Sequence, residues 1–383
     1  MGRRLLAPAG VVLAGLLAAT AFVPARAQTP SPSPERRITT ETGPLSVRVV
    51  AGGLVHPWGL AVLPDGRMLV TERPGRLRLV TRDGAVSAPL GGVPAVFAQG
   101  QGGLLDVALD PDFATNGLVY VSYAEPGDGG ASTAVARGKL GETALGDVTV
   151  IFRQLPKVSG GNHFGSRLAF ARDGNLFVTT GERFKFDPAQ DLGSHLGKII
   201  RIRPDGSVPP DNPFVGKPGA RPEIWSYGHR NVQGAAIHPD TGILWEHEMG
   251  PRGGDELNIP QAGKNYGWPL VSWGTHYDGR PIPLPPTRPD LSDAIRQWTP
   301  VIAPSGMAFY TAERIRGWRG SLLIGGLMAR GIVRLTLDGE RVTAEERIPL
   351  GARIRNVTQG LDGEVLALTD EDDGKILRLA PAE

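Results

Sequence analysis

Six times along this chain a turn carrying Asp or Gly leads directly into an apolar run. The instances are LPDGRMLVTE (63–72), DPDFATNGLVYVSY (110–123), ARDGNLFVTTGE (171–182), HPDTGILWEHE (238–248), IRGWRGSLLIGG (315–326) and LDGEVLALTD (361–370). The turn residues supply the positive φ and the side-chain-to-backbone bonds of a hairpin corner, and the runs that follow suit strands buried between sheets. A second pattern alternates basic and apolar residues: RLRLVTRDG (76–84), KIIRIRPDG (198–206), GIVRLTLDG (331–339) and KILRLAPAE (375–383). Such alternation reads as a strand with one wet face, which predicts the last strand of a unit at the rim of its sheet. No segment sustains a helical period, and 53 Gly and 34 Pro punctuate the whole chain. The expectation is therefore all-β: six antiparallel sheets closed radially into a six-bladed β-propeller, with the active site at one end of the central channel. Two β-sandwiches with a cleft between them are the competing architecture, disfavoured because the six units run on without an interior linker. At roughly 58 residues each the units exceed the usual propeller repeat, and loop insertions account for the excess.

The N-terminus carries a different pattern. Arg3 and Arg4 precede an apolar run over 11–23, and Ala25-Arg26-Ala27 follows as a small-x-small cleavage site. Residues 1–27 thus read as an export signal, too short in its apolar part to span a bilayer, so a periplasmic or secreted protein without a membrane span in its mature form is expected. A Pro/Ser-rich linker is placed at 28–42, most clearly in QTPSPSPE, and the propeller domain at 43–383. Removing the signal's three arginines leaves 38 basic against 39 acidic residues. No basic field remains to argue for nucleic acid or an anionic membrane as partner. The absence of cysteine excludes disulfides, thiolate metal sites and cysteine nucleophiles.

Chemistry-bearing residues concentrate in four stretches: GQGGLLDVALDPDF (100–113), GGNHFGSRLAF (160–170), WSYGHRNVQGAAIHPDTGILWEHEMGPRGGDELNIPQAGKNYGWP (225–269) and ARIRNV (352–357). Taken in order, they resemble the soluble pyrroloquinoline quinone (PQQ)-dependent sugar dehydrogenases, the glucose/sorbosone dehydrogenase family, over roughly residues 45–380. Oxidising a sugar hemiacetal needs a base to take the hydroxyl proton while hydride leaves the same carbon, and neutral imidazole serves near pH 7. His163 lies in a glycine-bounded loop before a predicted strand, and the resemblance makes it the general base; read alone, it is a loop histidine satisfying carbonyls. Some relatives place Asp immediately before this histidine, whereas Asn162 stands here, so no carboxylate is expected from that position. Gln101 matches a glutamine that contacts substrate or base; otherwise it is a turn-capping amide.

PQQ carries three carboxylates and an ortho-quinone, so a pocket for it needs forked cationic donors. Arg353 and Arg355, two apart, would share one strand face, and they match the family's cofactor-binding pair. The resemblance also places Arg230 and Asn231 at the quinone oxygens, and gives calcium the backbone carbonyls of Gly250 and Pro251, oxygen ligands suited to a hard cation. Glu248, Asp255 and Glu256 are the alternative metal ligands, or partners of Arg252. Where relatives carry a cofactor-binding lysine, this chain has Ala329 or Arg330. Trp298 matches a region of substrate-side aromatics, with a one-residue shift, while Trp58 and Trp268 read as packing residues.

The resemblance thus implies PQQ- and calcium-dependent oxidation of aldose sugars at C1 to lactones, with electrons leaving to an external acceptor. A calcium-dependent sugar lactonase is the alternative enzyme, and a non-catalytic carbohydrate-binding propeller the alternative without chemistry, since fold alone does not fix function.

Overall fold

The computed structural model describes residues 1–2 and 35–382, so the expected export signal, apart from Met1 and Gly2, lies outside the described residues, as do residues 28–34. The fold is a six-bladed β-propeller. Its blades begin with the inner strands Pro57–Val62, Leu104–Leu109, Gly165–Phe170, Val232–Ile237, Pro304–Phe309 and Ile354–Gln359. Each inner strand touches the next, and the sixth touches the first, which closes the ring. All six predicted turns lie between the first and second strands of their blades.

Blade one has three strands, blades two to five have four, and blade six has five. Blade six closes the ring by pairing the N-terminal strand Gly43–Leu54 antiparallel with the C-terminal strand Gly374–Pro381. Arg36–Thr40, which the sequence placed in the linker, is instead a strand, paired with Gly43–Leu54 as the outermost of this blade. The basic-apolar strands also differ from expectation. They are third strands, and only in blade one is the third strand the rim; elsewhere a further strand covers it. Two of their cations are satisfied inside the protein: Lys198 Nζ donates to the carbonyls of Pro188, Ala189 and Leu196, and Arg334 pairs with Glu346.

The apolar core is distributed between blades rather than gathered at a centre. Leu69, Leu104 and Val121 pack between blades one and two, Trp245, Leu257 and Ile324 between four and five, and Leu54, Val70 and Leu368 between six and one. The axis, by contrast, is polar. Arg167, on the third inner strand, donates to Asp106 Oδ1 at 3.0 Å, to the Gln233 carbonyl at 2.8 Å and to the Arg355 carbonyl at 3.0 Å. One buried side chain therefore ties four inner strands together beneath the channel mouth, with its guanidinium 3.9 Å from the Trp58 ring centre.

Two repeated features aim side chains at that mouth. Every inner strand shifts register against its neighbour within its first few residues, a bulge that re-aims side chains. The residues leading into these strands take unusual backbone: His56, His163 and Ala303 have φ of 44°, 55° and 47°. Because each blade starts at the axis, the residues before the inner strands and after the second strands meet at one end of the channel.

Candidate functional site

His163 stands two residues before the start of the third inner strand, and its ring is buried. Three neighbours fix it. Its backbone N–H donates to Gln101 Oε1 at 2.8 Å, its ring lies edge-on to Phe184 with centroids 5.1 Å apart, and its Nδ1 is in a short hydrogen bond with Glu182 Oε1. Glu182 follows the second strand of the same blade, and its other oxygen accepts the Phe186 N–H at 2.7 Å. Burial pushes the Glu182 carboxyl up, but the His163 hydrogen bond and charge, with the Phe186 N–H, hold it below its ordinary value, so it is ionised at neutral pH. An ionised carboxylate accepts only, so Nδ1 carries the proton and Nε2 is left as the acceptor. Burial first, and then the charge of Arg230, lower the His163 pKa below the usual imidazole value, with Glu182 opposing both.

The carboxylate that the sequence left missing beside His163 is therefore supplied by Glu182, while Asn162 is exposed. Glu182 opens a strained loop. Arg183, Phe184 and Phe186 have φ of 61°, 59° and 64°, a conformation costing on the order of 1–3 kcal/mol per residue that concentrates at functional sites. The strain turns Phe184 outward, where it is 39 % exposed, toward Tyr277, 59 % exposed, with ring centroids 6.2 Å apart.

Arg230 faces the same opening. Its Nη1 donates to the carbonyls of Met249 and Gly250, both at 2.8 Å, its Nη2 is 3.2 Å from the Tyr277 hydroxyl, and its guanidinium stands 5.2 Å from the Trp268 ring centre. Its Nε is buried and has no partner. Asn231 Oδ1 accepts the Gly165 N–H at 3.1 Å and so holds the His163 loop. Gly250 belongs to a tight loop in which a Cβ would come within 2.3 Å of the Gly253 and Gly254 carbonyl oxygens. This oxygen-lined turn, with Pro251 buried beside it, suits a hard cation. Of the alternative acidic ligands, Asp255 is engaged with the backbone N–H groups of Gly250, Ile302 and Ala303, and Glu248 with that of Arg230. Burial raises the Asp255 pKa to about 6.

A second group of cations gathers at blades six and one. Arg355 is buried and spent on protein: Nη2 to Asp370 Oδ2 at 2.5 Å and Nη1 to Gln233 Oε1 at 2.8 Å. Arg353 reaches the same carboxylate only at 3.7 Å and has a 41 % exposed side chain. Both arginines thus converge on Asp370, but only Arg353 is free to meet a ligand. Asp370 is held well below the usual carboxylate range against its burial, chiefly by the Arg355 charge and then by the His56 and Arg355 hydrogen bonds. Arg73 completes the group, donating to the carbonyls of Gly100 and Gly102 on either side of Gln101. Burial lowers its pKa, and Arg355 and Arg353 depress it further. Three guanidinium groups around one buried carboxylate leave surplus positive charge suited to a polyanion. Of the two candidates for the position of the relatives' lysine, Ala329 has no donor to offer and Arg330 binds the Gly351 carbonyl.

Trp298 requires a correction. It is 4 % exposed within the core between blades four and five, with its indole N–H on Glu345 at 2.8 Å. The aromatics beside His163 and Arg230 are Phe184, Phe186, Tyr277 and Trp268. Periodicity hid them, since they stand on loops rather than strands.

A propeller with a carboxylate-oriented imidazole, an arginine across from it and unspent cations at the same mouth has the equipment of an enzyme that removes hydride and proton from a hydroxyl-bearing carbon. Comparison with known proteins agrees. The glucose/sorbosone dehydrogenase family model matches residues 54–378, and the chain belongs to that family. It is 46 % identical over 347 residues to aldose sugar dehydrogenase YliI of Escherichia coli (strain K12), covering 88 % of this chain and 93 % of the relative. Among solved structures, a glucose dehydrogenase shares 51 % identity and a TM-score of 0.85 over 88 % of this chain and 99 % of its own. The PQQ-bound form of aldose sugar dehydrogenase from Streptomyces coelicolor shares 34 % identity and a TM-score of 0.73 over 88 % and 98 %. No helix of the described residues is long and apolar enough to cross a membrane.

Proposed function

We propose that this enzyme oxidises aldose sugars at C1 to lactones with PQQ and calcium, and hands the electrons to an external acceptor after export to the periplasm or medium. The observation that carries the reading is the Glu182–His163 pair, whose Nε2 is left as an acceptor beside Arg230. The donor set fits the cofactor: Arg353 and Arg73 would meet its carboxylates, Arg230 its quinone oxygens, and the Pro251 carbonyl the calcium, joined by the Gly250 carbonyl once Arg230 Nη1 turns from it to the quinone. Bound PQQ supplies the two-electron acceptor for the C1 hydride, and calcium makes it more electrophilic. His163 Nε2 takes the C1 hydroxyl proton. Glu182, on Nδ1, keeps the ring in the tautomer that can do so and stabilises the imidazolium that results. The Gln101 carbonyl and the Asn231 amide hold the loop that carries the base, while the Gln101 NH2 remains able to touch substrate. Phe184 and Tyr277 offer exposed apolar faces on which a sugar ring would rest.

A lactonase would not call for an arginine cluster at the mouth, and a binding module would not require a buried, carboxylate-oriented imidazole. His163→Ala tests the assignment. The variant is expected to fold and bind PQQ as the wild type does, yet to lose roughly two to four orders of magnitude in turnover, the range general-base catalysis supplies. Near-normal turnover in dye-linked aldose oxidation would remove His163 from its role.

A further inference from the structure

One face of blade four carries a polar cluster that the catalytic reading does not use. Glu246 and Glu248 are alternate residues on Leu244–Glu248. On the neighbouring strand Asn258 lies opposite Glu246, and Glu256 opposite Glu248. Alternation puts all four on the same side of the sheet. His229 joins them, with Nδ1 3.0 Å from Glu248 Oε1 and 3.6 Å from Glu246 Oε1. The ligand atoms of His229, Glu246 and Glu248 lie within 4.8 Å of one another, and all three residues are buried. Among the described residues His229 is the only ion-pair partner of either carboxylate.

The cluster is also under-satisfied. Among the described residues, both oxygens of Glu246 and both polar atoms of the Asn258 amide are buried without a hydrogen bond of good geometry, although the two side chains face each other. Orphaned groups of this kind are rare in native interiors and call for a cation, a proton or a water. The spacing suits a cation, which would take the place of the present hydrogen bond between His229 Nδ1 and Glu248 Oε1. Two atoms bound to one ion at about 2.1 Å stand about 3.0 Å apart in octahedral and about 3.4 Å apart in tetrahedral coordination, close to the observed 3.0 and 3.6 Å. Ser226 Oγ, 2.9 Å from the other ring nitrogen of His229, fixes the ring as an outer partner of a metal-bound histidine does.

We propose that His229, Glu246 and Glu248, with the Asn258 amide oxygen, form a buried site for one divalent transition ion of the zinc class. The imidazole separates this site from the all-oxygen calcium position at Gly250 and Pro251, because calcium takes oxygen ligands whereas imidazole suits the later first-row ions. The site stands apart from the redox reading, though it touches the catalytic machinery at one point: the second oxygen of Glu248 accepts the Arg230 backbone N–H. An ion here would anchor the strand end from which Arg230 projects.

The test uses the full-length protein, stripped with chelator, free of PQQ and held in millimolar calcium so that oxygen-only sites stay filled. Co2+ is then titrated while its visible ligand-field absorption is recorded. The site requires one equivalent of Co2+ per chain, with a band displaced by Zn2+. Glu246→Gln, which keeps the side-chain shape, should weaken Co2+ binding by at least about 100-fold, beyond the 10–100-fold typical of losing an outer-shell partner, and His229→Gln should weaken it and alter the band. Far-UV circular dichroism checks the fold of each variant. Absence of a stoichiometric Co2+ band in the wild type overturns the proposal whatever the variants do, as does unchanged Co2+ affinity in folded Glu246→Gln. Either result would leave a proton or water in the ion's place.

Discussion

Replacing Glu182 with Gln probes the pair on which the proposed chemistry turns, with almost no change in shape. The carboxylate now does two things for His163: it accepts the Nδ1–H in a short hydrogen bond, and it opposes the lowering of the imidazole pKa by burial and Arg230. A hydrogen bond to a charged group contributes about 1.5–3 kcal/mol. Since 1.4 kcal/mol is a factor of ten, losing it as the imidazolium forms should cost roughly ten- to two-hundred-fold in kcat. The Gln amide can also donate to Nδ1 and so drive the proton onto Nε2, which would remove the acceptor altogether and extend the loss toward four orders of magnitude. The pH profile gives an independent sign. His163 works when neutral, so activity rises as pH climbs through its pKa, already below the usual imidazole value. Removing the opposing carboxylate lowers that pKa further, so the acid limb of Glu182→Gln should move to lower pH while its plateau falls. Asn162→Asp should leave the limb nearly in place, because Asn162 is exposed and Glu182 already occupies Nδ1. The assay is dye-linked aldose oxidation from pH 4 to 9 with PQQ and calcium supplied. An unchanged plateau, or a limb that moves upward, would remove Glu182 from its role.

Other substitutions separate binding from folding. Arg353→Ala should weaken PQQ binding in a titration while leaving stability within about 0.5 kcal/mol, since its side chain is half in solvent. Arg355→Ala leaves Asp370 short of its closest partner and should cost about 3–5 kcal/mol in denaturant unfolding; equal stability losses in the two variants would contradict the division of labour between them. Phe184→Ala should raise KM for aldoses several-fold with kcat changed less, a split measured by steady-state kinetics. Trp298→Ala should instead destabilise by about 3–5 kcal/mol with near-normal activity per folded molecule, and a selective rise in its KM would return Trp298 to the substrate side.

The fold was legible because its periodicity is local. Each turn with its apolar run, as in 63–72 or 361–370, is a complete corner and second strand, and six copies without helical spacing leave radial closure as the natural arrangement. The position of each strand within its blade was less legible: KIIRIR looks wet-faced, yet Lys198 is buried because three carbonyls converge on its Nζ, a tertiary fact without a local trace. Among site residues, the motifs pointed to His163 and Arg230, which the fold brings near each other, but they carried no trace of what the neighbouring side chains hold. Asn231 holds backbone, and Arg355 is consumed by Asp370. Glu182 could have been found. Four of the six repeats end in an acid, Glu72, Glu182, Glu248 and Asp370, and each of these binds a residue leading into an inner strand: Val55 N, His163, Arg230 N and His56. Phe184 and Tyr277 had no comparable signal, because positive φ at non-glycine residues and long loops leave no pattern in sequence.

Reconstitution shows whether this propeller oxidises sugar with PQQ and calcium. Chelator-treated protein is assayed for dye reduction against a panel of aldoses with PQQ, calcium, both or neither, and separately with NAD. Turnover should require PQQ and calcium together, follow the aldose supplied, yield the lactone and ignore NAD. Equal turnover in chelator without PQQ, or lactone hydrolysis in place of aldose oxidation, would contradict it.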